Sequence, residues 1–360
     1  MIDLISRVLS GRKPSSEFKA SPGPNGAKRI NLALQGGGTH GAFTWGVLDA
    51  LLEDGRLDFE GVSGTSAGAM NAVALAQGLM TGGRDGARAA LEQFWTALAG
   101  TMPMAATVAA ADGQGVSLAP AFKSMLRWAN YFSPDRLNPY DLNPLRDIVT
   151  AQIDFERLRA ESTLKLFVAA TNANSGKLRL FRLPELSADA ILASACLPTV
   201  NRAVEIDGEP YWDGGYAANP AVFPLFYECT SPDILLVLLS PLKHKETPHT
   251  VQDIRERVLE FAFTATFLRE MRMFAHFRDY VSQMRFPMGR FERRIAATSF
   301  HVIDAQEFMS DLTAETRLAV NLQFFTTLRD LGRDNAKSWL AQHLASVGHK
   351  SSVDISELFY

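Results

Sequence analysis

Gly64-Thr65-Ser66-Ala67-Gly68 holds the residue types that nucleophilic chemistry needs, at the spacing it needs. A serine hydroxyl attacks a carbonyl efficiently when it stands on a sharp, open turn. It also needs a base to take its proton and N–H groups to receive the oxyanion. Glycines on either side leave room for such a turn. Leu57 to Ser63 reads as a short strand before it, and Ala67 to Gly78 as a buried helix after it. That helix aims its free amides and positive dipole end at the serine. Ser66 is therefore a candidate nucleophile, although the pentapeptide alone reads equally well as a serine-capped glycine turn.

Two other stretches supply candidate partners. Ile30 to Gln35 reads as a strand running into Gly36-Gly37-Gly38-Thr39-His40-Gly41, with a helix from Ala42 to Leu52. Strand, glycine loop and helix aim backbone N–H groups at an anion. Gly36-x-Gly38-x-x-Gly41 also fits a dinucleotide fingerprint, and Asp58 and Glu60 lie near the distance of a ribose-binding acid. The second strand, however, leads into the serine turn. The third stretch is Asp213-Gly214-Gly215, delivered by a hairpin from Ala203 to Trp212 that turns at Asp207-Gly208. It presents a carboxylate on an open loop, yet alone it reads as an ordinary Asp-Gly turn.

Taken in order, these stretches resemble the patatin-like phospholipase family from about Arg29 to Ser240. The segment Ala193-Ser194-Ala195-Cys196-Leu197-Pro198 joins the match ahead of the aspartate. The resemblance implies a lipid acyl hydrolase, phospholipase A- or lysophospholipase-like, working through an acyl-enzyme without metal or cofactor. Carried over by position, Ser66 is the nucleophile, Asp213 the base, and the Gly37 and Gly38 amides the oxyanion hole. Gly36, Gly41, Gly64, Gly68, Gly214 and Gly215 complete the motifs. Family members usually carry Arg or Lys at the position of His40, which makes His40 a candidate modulator that is neutral near pH 7. A carboxylate is a weak base, so Asp213 is expected in a partly apolar site, flanked by Trp212 and Tyr216, that raises its pKa.

Other readings use the same residues differently. A hydroxyalkanoate polyester depolymerase or a thioesterase would share the dyad. A nucleotide-binding protein would use Gly36 to Gly41, and a membrane-surface protein would carry a vestigial site. A histidine triad is compatible with chain order, since His244, His249, His276, His301, His343 and His349 follow Asp213. None of these histidines sits in a glycine-bounded loop.

The elements that position these loops imply an α/β fold. We expect a three-layer α/β/α sandwich with a mainly parallel central sheet and a mostly helical C-terminal extension. The expected division is a flexible tail at 1–28, a catalytic domain at 29–240 and the extension, packed on it, at 241–360. Further strands are expected at Leu164–Thr171, Leu178–Phe181, Asp233–Ser240 and Ser299–Ile303, and helices after Asn143 and Ser187. Residues 100–140 are apolar and broken by prolines, and fit either a lid over an acyl pocket or two ordinary helices. Val251 to Met284 reads as a long helix mixing aromatics with arginines. We read it as core-facing with a solvated outer face, in preference to a lipid head-group contact. Ala314 to Leu344 reads as two helices broken near Gly332.

The composition is that of a globular protein: 360 residues, 47% hydrophobic and 21% charged. A net charge of −3 gives no basic excess for nucleic acid. Cys196 and Cys229 make neither a disulfide framework nor a metal-ligand spacing, and read as buried apolar residues. No uncharged run is long enough to span a bilayer, and Asp3 and Arg7 spoil the N-terminus as a signal peptide. We therefore expect a cytoplasmic protein that at most touches a membrane surface, with a lipid or acyl-ester substrate.

Overall fold

The computed structural model describes residues 23, 26–102, 106–109, 116–129, 131–284 and 289–360. The tail expected at 1–28 lies almost wholly outside these residues. In chain order the elements that matter are β1 (Lys28–Leu34), α1 (Gly41–Asp54), β2 (Leu57–Thr65) and α2 (Ala67–Ala99). There follow β3 (Thr107–Ala109), β4 (Val116–Leu118), α3 (Pro120–Ala129), α4 (Pro144–Gln152), β5 (Lys165–Asn172) and β6 (Leu178–Arg182). Then come α5 (Ala188–Ser194), β7 (Val204–Ile206), β8 (Glu209–Asp213), α6 (Phe223–Glu228) and β9 (Asp233–Val237). The chain closes with α7 (Val251–Ser282), β10 (Ser299–Ile303) and α8 (Leu322–His343).

Among the described residues, eight strands form one sheet ordered β10-β9-β1-β2-β5-β8-β7, with β6 also paired to β5. The run from β10 through β5 is parallel, while β6, β8 and β7 are antiparallel additions. Alternation along the strands builds a core on each face. Ile30, Leu32 and Leu34 of β1 pack with α1, α2 and α8, whereas Ala33 points to the other side. On β9, Leu235 and Val237 join the first core, and Ile234 and Leu236 meet α6 and α7 in the second. The sandwich is therefore three layers deep. No described helix is long and apolar enough to cross a membrane.

Local signals explain several boundaries. Asn143 caps α4 by accepting the Leu145 and Arg146 amides at 3.1 and 3.4 Å, with Pro144 at the first helical position. Ser187 caps α5 by accepting the Ala190 amide at 3.2 Å. The Asp207-Gly208 hairpin turn has both φ values positive, 54° and 78°, as a two-residue loop of primed type requires. Residues 82 and 83 break α2, since Gly83 takes φ of 62°.

The structure departs from two expectations. The helix Leu322–His343 runs unbroken through Gly332. Its glycine serves close approach instead: a Cβ there would strike the Phe43 carbonyl and the Val47 amide of α1. The break lies earlier, after the 3₁₀ turn Ala314–Leu318. Over its described residues, the stretch 100–140 is not two plain helices with their aromatics in the core. It forms a small β3–β4 hairpin, α3 and the short turn Pro134–Leu137, and leaves Met125, Trp128, Tyr131 and Tyr140 exposed. Helix α7 packs its inner face on the core as expected, and its exposed face carries Val251, Val258, Phe261 and Tyr280 among its polar residues. The sheet continues past position 240, where β10 pairs with β9.

Replacing Gly332 by valine adds a branched side chain against backbone that cannot turn aside. Such overpacking costs about 1–3 kcal/mol. Urea unfolding of Gly332→Val should show a lower midpoint by that amount if α8 belongs to the same cooperative core as α1.

Candidate active site

Ser66 stands between β2 and α2 with φ of 54° and ψ of −121°, where an L-residue is strained. Neighbouring groups hold it there. Its amide donates to the Ser194 hydroxyl at 2.9 Å, and its carbonyl accepts the Ala69 and Met70 amides at 2.9 and 3.1 Å. Ser194 is fully buried at the end of α5. The glycine spacing around the serine follows from main-chain crowding. A Cβ on Gly68 would strike the Leu34 carbonyl, and one on Gly64 would strike the backbone of Gly68 and Ala69.

Register brings the glycine loop to the same edge. Leu34 of β1 lies opposite Gly64 of β2, so the loops leaving both strands are neighbours. The Gly36 amide donates to Asn219 Oδ1 at 2.7 Å, and a Cβ on Gly36 would lie 2.9 Å from that of Ser66. Gly37 is extended, and Gly38 takes φ of 61° with its open side against the Arg317 carbonyl. Among the described residues the Gly37 and Gly38 amides have no protein acceptor. Gly41 packs on Ala67 and Trp95, tying the loop to α2.

Asp213 arrives from the opposite direction. β8 runs antiparallel to β5, with Asp213 opposite Ala170, while Thr65 lies opposite Ala169. The carboxylate thus ends level with the serine turn. Asp213 is 1% exposed, and its Oδ1 accepts the Gly215 amide at 2.7 Å. Its own amide donates to the Cys196 carbonyl at 2.8 Å, and Thr171 Oγ1 donates to its carbonyl at 2.8 Å. Burial pushes its pKa up to about 7, opposed by the Gly215 amide and by a hydrogen bond from the Ser66 side chain. The Ser66 side chain thus lies near the Asp213 carboxyl. Gly214 lies against the Ala169 carbonyl and Gly215 against the Phe263 ring. Tyr216 is half-buried and stacks on Phe263 at 4.5 Å, as part of the partly apolar surround.

His40 is buried beside the glycine loop. Thr316 donates its hydroxyl to the Thr313 carbonyl at 2.6 Å, so it accepts the His40 Nε2 proton at 2.8 Å. Burial, reinforced by nearby Arg317, pushes the His40 pKa down to about 3. The imidazole is therefore neutral at physiological pH. Among the histidines after Asp213, His244 lines a cavity that also holds His40 and Arg317, and none has a described hydrogen bond to Ser66 or Asp213. His301 bridges Ser352 and Asp233, His244 meets Glu260, and His276 meets Tyr360. Cys196 and Cys229 are buried and free, and burial pushes their thiols up to about 11 and 12. Among the described residues no cluster of three or more His, Cys, Asp or Glu is placed to hold a metal.

Sequence reasoning missed Asn219, Phe263, Thr316 and Arg317. Asn219 had a signal, an Asn-Pro step six residues beyond the aspartate, which reads as a simple turn. The other three come from far along the chain, and nothing local marks them.

The elevated Asp213 pKa has a stability consequence. Between about pH 4, where an unfolded aspartate ionises, and pH 7, the folded state binds more protons than the unfolded state. Asp213 therefore lowers stability progressively as pH rises through this window. Asp213→Asn removes that penalty, on the order of 2–4 kcal/mol once both states have ionised. Urea unfolding should show little advantage for the variant at pH 4 and the full gain at pH 8.

Solved structures that align with the chain include VipD from Legionella pneumophila. It is 16% identical, with 95% of this chain and 73% of that chain covered and a TM-score of 0.41. The type III effector protein ExoU aligns at 15% identity, covering 89% and 54%, with a TM-score of 0.31. The heterodimeric ExoU–SpcU complex from the type III secretion system of Pseudomonas aeruginosa aligns at 14%, covering 92% and 59%, with a TM-score of 0.32. The chain thus spans little more than half the length of the two ExoU chains. No curated protein matches. The sequence model of the family described as Patatin-like phospholipase matches residues 32–226, over half of the chain. That stretch holds the glycine loop, the serine turn and the aspartate loop, and the chain belongs to the patatin-like phospholipase family.

Proposed function

We propose that the protein is a serine acyl hydrolase that cleaves lipid acyl esters, in the manner of a phospholipase A or lysophospholipase, with Ser66 and Asp213 as a catalytic dyad. The observation that carries this reading is the buried Asp213 carboxyl, its pKa raised to about 7, brought level with a serine held on a strained turn. In the first step Asp213 takes the Ser66 proton as Oγ bonds to the ester carbonyl carbon. The carbonyl oxygen becomes an oxyanion facing the Gly37 and Gly38 amides. Protonated Asp213 then gives its proton to the departing alcohol oxygen, leaving an acyl ester on Ser66. Water attacks that ester in turn, with Asp213 taking its proton and returning it to Ser66 as the fatty acid departs.

The electrostatics favour this cycle. A base with a pKa near 7 is ionised at working pH and still draws a proton effectively. The free glycine amides meet charge that exists only after attack, so they stabilise the transition state more than the substrate. Neutral His40 adds no charge there. It ties the glycine loop to Thr316, next to the Thr39 hydroxyl that donates to the Thr316 carbonyl at 2.6 Å. In this reading 29–240 is the catalytic part, and 241–360 is an extension that braces the loop from outside.

Ser66→Ala and Asp213→Asn should each lower p-nitrophenyl ester turnover by about a thousandfold or more while the protein stays folded. A fluorophosphonate should label wild type at Ser66. The kcat/KM of wild type should rise about tenfold per pH unit up to about pH 7 and level off above, because the base must be ionised. Near-native turnover in Asp213→Asn together with a dead histidine variant would overturn the dyad.

A further inference from the structure

Helix α7 distributes its side chains in an unusual way. Its inner face buries Thr264, Phe267, Met271, Phe274 and Ala275. Three of its carboxylates, Glu260, Glu270 and Asp279, meet partners on the body of the protein, while Asp253 is exposed near the start of the helix and Glu256 accepts from Gln252 of the same helix. Glu260 meets His244 at 3.0 Å and Arg257 at 3.6 Å, and Glu270 accepts the Val222 and Phe223 amides of α6 and its cap. Asp279 accepts the Tyr360 hydroxyl at 2.6 Å. The outer face is apolar and basic. Val251, Ile254, Val258 and Phe261 repeat at intervals of three and four, which aligns them on one stripe. Val258 is 61% exposed and Phe261 55% exposed. From Ile254 to Phe277 the exposed positions of the helix include Arg255, Arg269 and Arg272 and no carboxylate.

We propose that this outer face of α7 docks on an anionic lipid surface. Aliphatic and aromatic side chains that enter the head-group boundary, flanked by arginines, are the chemistry of an interfacial helix. Charge decides against a second copy of the chain. A symmetric pairing of this stripe with itself would set Arg255, Arg269 and Arg272 of both copies together with one exposed carboxylate each, Asp253, leaving a net positive seam. The same helix reaches the site from its inner side, where Phe263 packs on Gly215 and Tyr216, beside Asp213. A membrane held against the outer face thus lies one helix away from the aspartate loop. The proposal rests on the lipid-hydrolase reading for its purpose, but its test does not require turnover.

The test is co-sedimentation of the full chain with vesicles of phosphatidylglycerol and phosphatidylcholine, against phosphatidylcholine alone. Wild type and Ser66→Ala should bind the anionic vesicles equally, and more weakly at high salt. Val258→Asp with Phe261→Asp should lower the partition coefficient about tenfold or more. Arg255→Glu with Arg269→Glu should lower it about tenfold and remove the preference for phosphatidylglycerol. Both pairs should keep soluble p-nitrophenyl butyrate turnover, which reports an intact fold and site. The proposal fails if wild type ignores anionic vesicles or if both pairs bind as wild type does. It also fails if sedimentation shows a wild-type dimer that the Val258/Phe261 pair converts to monomers. Retained turnover in Ser66→Ala would sink the dyad and leave the binding result standing.

Discussion

The backbone of Ser66 is the constraint on which the site depends. A φ of 54° is a conformation an L-residue abandons unless its surroundings over-determine it. Here they do so from three directions. Ser194 takes the amide, the first turn of α2 takes the carbonyl, and the glycine loop closes over the side chain at Gly36. Each contact comes from a different element, so the serine turn is only as secure as the packing of α2, α5 and β1 around it.

Asp213 shows the opposing pressures plainly. Burial makes its carboxyl a better base and a worse contributor to stability, through the same rise in pKa. The fold retains it by anchoring the main chain on both sides. Thr171 and Cys196 hold the backbone, and the Gly215 amide meets the carboxylate from below. A site of this kind keeps a locally unfavourable group because the rest of the sandwich is well packed on both faces of the sheet.

The C-terminal third is part of that packing. α8 lies across α1, close enough to require glycine at both Gly46 and Gly332. The 3₁₀ turn before it sets Thr316 on His40 and the Arg317 carbonyl on Gly38. α7 covers the aspartate loop. The glycine loop and the aspartate loop are thus each backed by residues well downstream of the family match, which ends at residue 226.

The order of strand, glycine loop and helix was legible because strand periodicity and glycine clusters are local properties. Gly36 to Gly38, Ser66 and Asp213 could be named from spacing and family resemblance, and the caps at Asn143 and Ser187 from residue type. Legibility ended where a residue's role depends on what crosses it. Gly332 looks like a helix break in sequence, since glycine weakens a helix, but it is the point where two helices nearly touch. The arginines and aromatics of α7 were visible as a set, but which of them face out depends on how the helix is rolled onto the sheet. Direction is not local either. Asp213 reaches Ser66 by an antiparallel strand, and only pairing register decides that the two end level. The sequence by itself determined the groups and the turns that expose them. Tertiary structure alone decided their separation, their burial and hence the Asp213 pKa, because these arise from chain segments that meet only on folding.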